Sequence, residues 1–107
     1  MAKKKLSARA ARRAAVRSNE KLVRDLERLW LLSPGGSPER PIDLVSASQV
    51  ETQASSTPCP LCEGALRVEE HAAVTVGASR LRVTHVICQA CGARRSIYFR
   101  LGSPLPS

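Results

Sequence analysis

Four cysteines are the residues of this chain with the clearest capacity for chemistry. They form two C-x-x-C pairs, Cys59 with Cys62 and Cys88 with Cys91, and 25 residues separate the two pairs. A spacing of three lets one tight turn present two thiolates to the same ion, and a hairpin can bring the second turn alongside the first. Four sulfur ligands in a tetrahedral shell suit zinc. The spacing therefore predicts one metal site built from all four cysteines.

The residues around the two pairs resemble those of a zinc ribbon. The first pair reads C-P-x-C-x-G and the second reads C-x-x-C-G, with a predicted hairpin between them and a third strand after them. The resemblance covers residues 58–102 and carries over only the four metal ligands. It implies a three-stranded antiparallel sheet and one structural Zn²⁺. Iron in a rubredoxin-like site would use the same four sulfurs, and the sequence leaves that alternative open.

The stretch between the pairs alternates between apolar and polar side chains, as the two strands of a hairpin do. The alternation covers residues 66–76 and 81–87. Pairing Val76 with Leu81 through a four-residue loop places apolar residues opposite one another, whereas a slip of one residue would mix the two faces. We therefore expect this register.

A third strand is predicted over residues 94–101, with its apolar side chains directed inward. Its outer face would present Arg94, Tyr98 and Arg100, and Arg82 of the neighbouring strand would join them. Such a surface can stack a base and hold phosphates. The alternative is an ordinary solvated face of a basic sheet, since one aromatic ring gives only one stacking platform.

The cysteine pattern favours a structural metal site over a catalytic one. Four protein ligands leave no open position on the metal for water or substrate. A thioredoxin-type site needs one C-x-x-C pair at a helix start within a β-α-β unit, and no such context is present. His71, expected in solvent, and His85, expected on the mainly apolar face, lie on opposite faces and cannot act together. We therefore expect a protein that is not an enzyme.

The N-terminal part predicts a basic amphipathic helix over residues 5–32. Apolar residues recur at helical spacing from Leu22 to Trp30, and the Ser-Pro-Gly-Gly segment from Ser33 ends the helix. Seven cations and no acid lie in residues 3–17: Lys3, Lys4, Lys5, Arg9, Arg12, Arg13 and Arg17. This charge predicts nucleic-acid binding, with a solubilising or partner-binding helix as the alternative. The apolar stripe must pack on the metal-binding part, on a second copy or on a partner.

Residues 33–57 have the composition of a flexible linker. They are rich in Ser, Pro and Gly and bury too little apolar surface to order themselves. One apolar island, Pro41 to Val45, interrupts the segment. Its simplest interpretation is a short extended piece that packs loosely on the ribbon or on nothing, and the alternative is a docking segment for a partner.

Charge and hydropathy limit the classes of function. Seventeen Lys and Arg outnumber nine Asp and Glu, so we expect anionic partners, nucleic acid first and acidic proteins or membrane surfaces second. No apolar run is long enough for a secretory signal or a membrane span. We therefore expect a cytoplasmic protein, although the acid-free residues 1–17 would also suit an organelle-targeting peptide.

The sequence as a whole predicts a small α+β protein with four parts. These are a basic amphipathic helix in residues 1–32, a flexible linker in 33–57, a three-stranded antiparallel zinc ribbon in 58–102 and a flexible tail in 103–107. The predicted function is binding of DNA or RNA, or of a nucleoprotein complex, as an accessory to transcription or translation. The alternative is a protein-interaction adaptor that docks through the Leu22–Trp30 helix face and the 41–45 segment.

Overall fold

The computed structural model describes residues 7–102, which form two α-helices and one four-stranded sheet. The helices and strands are α1 (Ala8–Leu32), β1 (Ile42–Leu44), α2 (Val50–Ser56), β2 (Leu66–Val76), β3 (Ser79–Cys88) and β4 (Arg94–Leu101). The strand order is β1-β4-β3-β2. β2, β3 and β4 pair antiparallel, and β1 pairs parallel to β4. The predicted α+β class and the antiparallel pairing of three strands are confirmed. The prediction missed a fourth strand, β1, whose parallel pairing makes the sheet mixed.

Serine residues mark both ends of α1. The extended Ser7 caps the first turn, and its hydroxyl accepts a hydrogen bond from the backbone N–H three residues later at 3.1 Å. At the other end, the Ser33 N–H donates a hydrogen bond to the Trp30 carbonyl at 3.0 Å. The predicted end of the helix is confirmed. The predicted start at residue 5 lies outside the described residues, within which α1 begins at Ala8 after the extended Ser7. Within residues 7–102, no helix combines the length and hydropathy that crossing a bilayer requires.

Only the last turns of α1 pack on the sheet. Trp30 is 8% exposed and belongs to the core. Glu27 accepts two hydrogen bonds from the guanidinium of Arg95 on β4, at 2.8 and 3.3 Å, and that guanidinium lies 5.4 Å from the centroid of the Trp30 ring. Leu22 and Leu29 remain 55% and 61% exposed. The predicted apolar stripe is therefore divided between the core and the solvent.

The segment predicted as a flexible linker is part of the fold. It contains β1, a 3-10 turn and α2, and the side chains of Val50 and Ala54 on α2 are fully buried. Ser46 and Gln49 form a capping box at the start of the 3-10 turn. The linker prediction is wrong because these two apolar residues, one helical turn apart, bury against β2 and β3 although the composition around them is polar.

The apolar island lies along β4 as strand β1. Ile42 pairs with Phe99 in parallel register. Just before β1, the carbonyl of Gly35 accepts a hydrogen bond from the Tyr98 N–H at 2.9 Å. Gly35 has a φ of +86°, and a Cβ there would lie within 2.9 Å of both Ile42 and Ile97. The island packs on the sheet, which is one of the two placements that its simplest interpretation allowed, but it does so as a hydrogen-bonded strand.

One face of the sheet, with α2 and the end of α1, forms the hydrophobic core. Its buried members are Trp30, Val50, Ala54, Cys59, Leu66, Val86, Cys88, Ile97 and Phe99. One cysteine from each C-x-x-C pair therefore belongs to the core, so the two cysteine turns and the sheet share one core.

The β2–β3 hairpin is tighter than predicted. Val76 pairs with Ser79, and Leu81 pairs with Val74 rather than with Val76. Gly77, with a φ of +60°, begins the two-residue turn. The predicted register is wrong by two residues. A shift of two leaves residues 70–76 opposite the predicted face of β3, but a bulge between Val68 and Glu70 moves Leu66 and Val68 to the other face.

The two histidines exchange their expected environments. His85 is exposed, and its Nδ1 lies 2.9 Å from the Ser96 hydroxyl. His71 is half-buried, with its Nδ1 3.8 Å from a Glu51 carboxylate oxygen. His71 pairs with Thr84, the residue before His85, so the predicted placement on opposite faces is confirmed. The burial was mispredicted because α2 covers the face that carries His71.

Candidate metal centre

The four cysteine side chains meet at one end of the sheet. All four Sγ atoms lie within 4.8 Å of one another, with 3.4 Å between Cys62 and Cys88 and 3.8 Å between Cys59 and Cys91. Tetrahedral zinc with Zn–S bonds near 2.3 Å implies sulfur–sulfur separations of about 3.8 Å. The predicted ligand set is therefore placed to bind one metal ion.

Backbone hydrogen bonds hold the first pair in its turn. The Glu63 N–H donates to the Cys59 carbonyl at 2.7 Å, and the Cys59 N–H donates to the Gly64 carbonyl at 3.0 Å. The Gly64 N–H also points to the Cys62 sulfur at 3.4 Å. A Cβ at Gly64 would lie 2.9 Å from the sulfur of Cys88. Glycine is therefore required here so that the two turns can approach each other.

The second pair lies in a matching turn. The Gly92 N–H donates to the Cys88 carbonyl, and the Cys88 N–H donates to the Ala93 carbonyl, both at 2.9 Å. The Cys91 N–H points to the Cys88 sulfur at 3.4 Å. Gly92 has a φ of +76°, as expected for a glycine that leaves such a turn, but the equivalent residue of the first turn is Glu63, with a φ of +62°.

The turns and the crowding of thiols act in opposite directions on sulfur ionisation. The backbone N–H of Cys91 lowers the pKa of Cys88 to about 6, against the effect of burial. At Cys62, the backbone N–H of Gly64 favours the thiolate, but the Cys88 thiol, burial and the other thiols raise the pKa to about 12. The metal-free cluster therefore resists complete ionisation, and a bound cation would relieve that resistance.

The site is buried on one side and open on the other. Cys59 and Cys88 are buried, whereas Cys62 and Cys91 are exposed. A metal bound by all four sulfurs would have its coordination shell filled by protein. Such a centre joins the two turns and closes the end of the core.

The arginines of the predicted nucleic-acid site on α1 are all accessible. Arg9, Arg12, Arg13 and Arg17 are exposed, and none of them forms an ion pair within residues 7–102. Lys3, Lys4 and Lys5 lie outside the described residues. The positive charge of α1 is thus presented to solvent and is not neutralised by the fold.

The predicted sheet surface is only partly assembled. Arg94, Tyr98 and Arg100 alternate along one face of β4, but Arg82 pairs with Phe99 and so lies on the opposite face, which corrects its expected place. Arg94 lies 3.2 Å from Glu69. Arg100 lies 2.8 Å from Asp43, which raises its pKa.

Two arginines of interest were not found from the sequence. Arg95 has the same parity as the inward residues of β4, and that parity was the available signal for its burial beside Glu27. Arg80 lies at the start of β3, and its place beside Arg82 depends on the tight hairpin. The predicted register placed Arg80 in the hairpin loop, so its position beside Arg82 on β3 was missed.

Comparisons with known proteins give no match. No protein-family model matches the chain, and neither a curated protein nor a solved structure matches it. The interpretation of the site therefore depends on the arrangement of its four cysteines.

Replacing Glu63 with glycine is expected to stabilise the metal-bound protein. A non-glycine residue in the left-handed region costs about 1 kcal/mol, and glycine removes that cost. Urea unfolding should therefore give a free energy of unfolding about 1 kcal/mol higher for Glu63→Gly than for Glu63→Ala, the matched control, which removes the carboxylate but keeps the Cβ. Equal stability of the two variants would contradict the argument.

Proposed function

We propose that the four cysteines hold one structural Zn²⁺ in a zinc-ribbon-like module. The support is the pair of similar turns that lead into antiparallel strands, together with an all-sulfur ligand set that zinc favours. Iron is the competing metal, and elemental analysis with an absorption spectrum separates the two, because only iron thiolates absorb strongly in the visible range. Free thiolates of this kind persist in a reducing compartment such as the cytoplasm.

We also propose that the protein binds nucleic acid through α1. The observation that carries this proposal is the set of four exposed arginines in the first turns of α1, none of which has a carboxylate partner within residues 7–102. Arginine binds phosphate oxygens with its planar fork of donors. A phosphate backbone is the partner that uses many such cations at once.

The charge pattern of α1 opposes the stability of the helix itself. Arg9, Arg13 and Arg17 are four residues apart, so like charges lie beside one another on one face. The first turn contains no acidic residue, although the helix dipole disfavours cations there. A bound polyanion would remove both penalties. Such a conflict between a local rule and the sequence is expected where function determines the residues.

The sheet face around Tyr98 would contribute less. Arg94 and Arg100 are each paired with a carboxylate, so a phosphate would have to displace Glu69 or Asp43. Tyr98 itself is half-buried. We therefore assign most of the phosphate contacts to α1, and at most a stacking contact to Tyr98.

The test is a salt titration of the full-length, metal-loaded protein on duplex DNA, single-stranded DNA and structured RNA. With four to seven phosphate contacts, log K should fall with log[salt] at a slope of roughly −4 to −6 on duplex DNA. Arg13→Gln with Arg17→Gln should make this slope shallower by about 2. Arg40→Gln with Arg67→Gln is the control, because it removes the same charge from exposed residues outside α1.

Two results would reject the nucleic-acid proposal. One is a dissociation constant weaker than about 10⁻⁴ M at low salt, which is weaker than ordinary non-specific binding. The other is an equal change of slope in the α1 variant and in its control. Such a result would mean that phosphate contacts are spread over the whole surface and are not concentrated on α1.

The protein-interaction adaptor is the second candidate, and one observation favours it. Leu22 and Leu29 are both exposed. They lie on the same side of α1, about two helical turns apart. The 41–45 segment no longer supports this candidate, since Ile42 and Leu44 pair with β4. If the adaptor is correct, Leu22→Ser with Leu29→Ser should abolish capture of a protein partner that resists salt and nuclease. Unchanged capture would reject it.

A further inference from the structure

A concave surface lies at the hairpin end of the sheet, away from the cysteines. It encloses about 580 Å³ and is lined mainly by Ala73, Thr75, Arg80, Arg82 and Leu101. Thr75 pairs with Arg80 and Ala73 pairs with Arg82 across the hairpin. Directly opposed residues lie on the same face of a sheet, so these four side chains share one face.

The cavity concentrates positive charge without a counter-ion. Alternate residues of a strand lie about 7 Å apart, so the two guanidinium groups of Arg80 and Arg82 can reach one ligand together. None of the lining residues is acidic, and neither arginine forms an ion pair within residues 7–102. Arg82 is half-buried. A partly buried cation without a partner is costly, and an anion in the cavity would remove that cost.

The donor groups of the cavity suit a phosphate. Each guanidinium offers a planar fork of N–H donors, and the Thr75 hydroxyl lies opposite Arg80. Together, these groups offer more hydrogen-bond donors than the two oxygens of a carboxylate can accept. The three or four oxygens of a phosphate match the number of donors better. The small side chain of Ala73 leaves room beside Arg82, and Leu101 supplies an apolar wall.

The next pair on the same face also has unused polar atoms. His71 pairs with Thr84, and the His71 Nε2 and Thr84 Oγ1 atoms are buried without a hydrogen-bond partner within residues 7–102. Thr84 is fully buried. His71 and Thr84 are therefore further polar residues on the face that carries Arg80 and Arg82, and they lie just inward of the cavity.

We propose that the cavity lined by Arg80, Arg82 and Thr75 binds a phosphate group. The phosphate is either the free ion or the backbone of a nucleic acid, since both present the same oxygens. The site is separate from α1 and does not require the helix to bind nucleic acid.

The experiment records amide and arginine Nε NMR shifts of the full-length, metal-loaded protein. The probes are inorganic phosphate, a short single-stranded DNA and a peptide nucleic acid of the same base sequence, which lacks phosphates. Shifts at Thr75, Arg80 and Arg82 are expected with phosphate, with DNA or with both, and not with the peptide nucleic acid. Arg80→Gln with Arg82→Gln should weaken the binding that gives these shifts at least about tenfold, and Arg40→Gln with Arg67→Gln should leave it unchanged.

Each outcome decides the proposal. Saturation by inorganic phosphate supports a site for free phosphate, and a response to DNA alone supports a site for backbone phosphate. If neither inorganic phosphate nor the single-stranded DNA shifts the signals of the three residues, the proposal is overturned, and equal weakening in the control variant also overturns it. DNA-induced shifts confined to α1 would overturn the cavity proposal and leave the helix proposal intact. DNA-induced shifts at the cavity without shifts on α1 would support the cavity proposal and overturn the helix proposal.

Discussion

Replacing Cys88 with serine is expected to release the metal and unfold the sheet together with α2. Cys88 is one of four candidate ligands and is also a buried member of the hydrophobic core. Structural zinc typically contributes on the order of 10 kcal/mol of apparent binding energy, which is comparable to the whole stability of a small domain at about 5–15 kcal/mol. The core residues around the site cannot offset such a loss.

The consequence should extend to α1. Trp30 is buried in the core, so loss of the sheet exposes its ring and moves its fluorescence emission to longer wavelength. The measurements are elemental analysis, Trp30 emission and the dispersion of amide NMR signals. Removal of the metal from the wild-type protein with a chelator should reproduce all three changes. A Cys88→Ser protein that stays folded, or a folded wild type with less than about half an equivalent of metal, would contradict the argument.

The cluster of four cysteines is the part of this protein that the sequence predicts best. The two C-x-x-C pairs are short local motifs, and each forms its turn through backbone hydrogen bonds between near neighbours. A closed metal site also needs only that the two turns meet. The spacing of the cysteines could therefore predict the site although the register of the intervening hairpin was wrong by two residues.

The order of residues 33–57 was not predictable from composition, because tertiary burial determines it. α2 contains only seven residues, which is too short to be stable alone. Its helix forms because Val50 and Ala54 are buried on the sheet. A local signal was present at Ser46 and Gln49, whose spacing fits a capping box, but such a motif alone does not show what the helix packs against.

The misplaced arginines have a related physical cause. Alternation predicts which residues share a face within one strand, but only the register between strands decides which residues become neighbours. Arg82 was therefore assigned to the wrong surface, and its neighbour Arg80 was missed. Arg95 illustrates another limit, since a charged residue at an inward position is stable only when a partner such as Glu27 reaches it from a distant part of the chain.

Removing the Glu27 carboxylate is expected to detach the end of α1 from the sheet. The side chain of Arg95 is only 4% exposed, and that of Glu27 is 43% exposed. The Nε atom of Arg95 has no hydrogen-bond partner within residues 7–102, so the two bonds to Glu27 are its main polar compensation. Loss of one partner of a buried pair costs about 3–5 kcal/mol, and the partial exposure of Glu27 lowers our expectation to about 2 kcal/mol.

The matched control is Glu20→Gln, which removes the same charge from an exposed residue of α1 that forms no ion pair within residues 7–102. Urea unfolding should show the loss for Glu27→Gln and a change below about 0.5 kcal/mol for Glu20→Gln. The metal content should stay unchanged in both variants, because neither residue is near the cysteine turns in sequence or shares their hydrogen bonds. Equal stability of the two variants would reject the anchoring role.

A double substitution separates anchoring by charge from anchoring by packing. Replacing a buried ion pair with apolar side chains of similar volume is often neutral or stabilising, because no charge is left without a partner. Glu27→Leu combined with Arg95→Met should therefore recover most of the stability lost in Glu27→Leu alone, with Trp30 still packed against the new side chain. If the double variant is as unstable as the single one, the guanidinium's contact with Trp30 is what holds α1 in place, and the carboxylate only neutralises it.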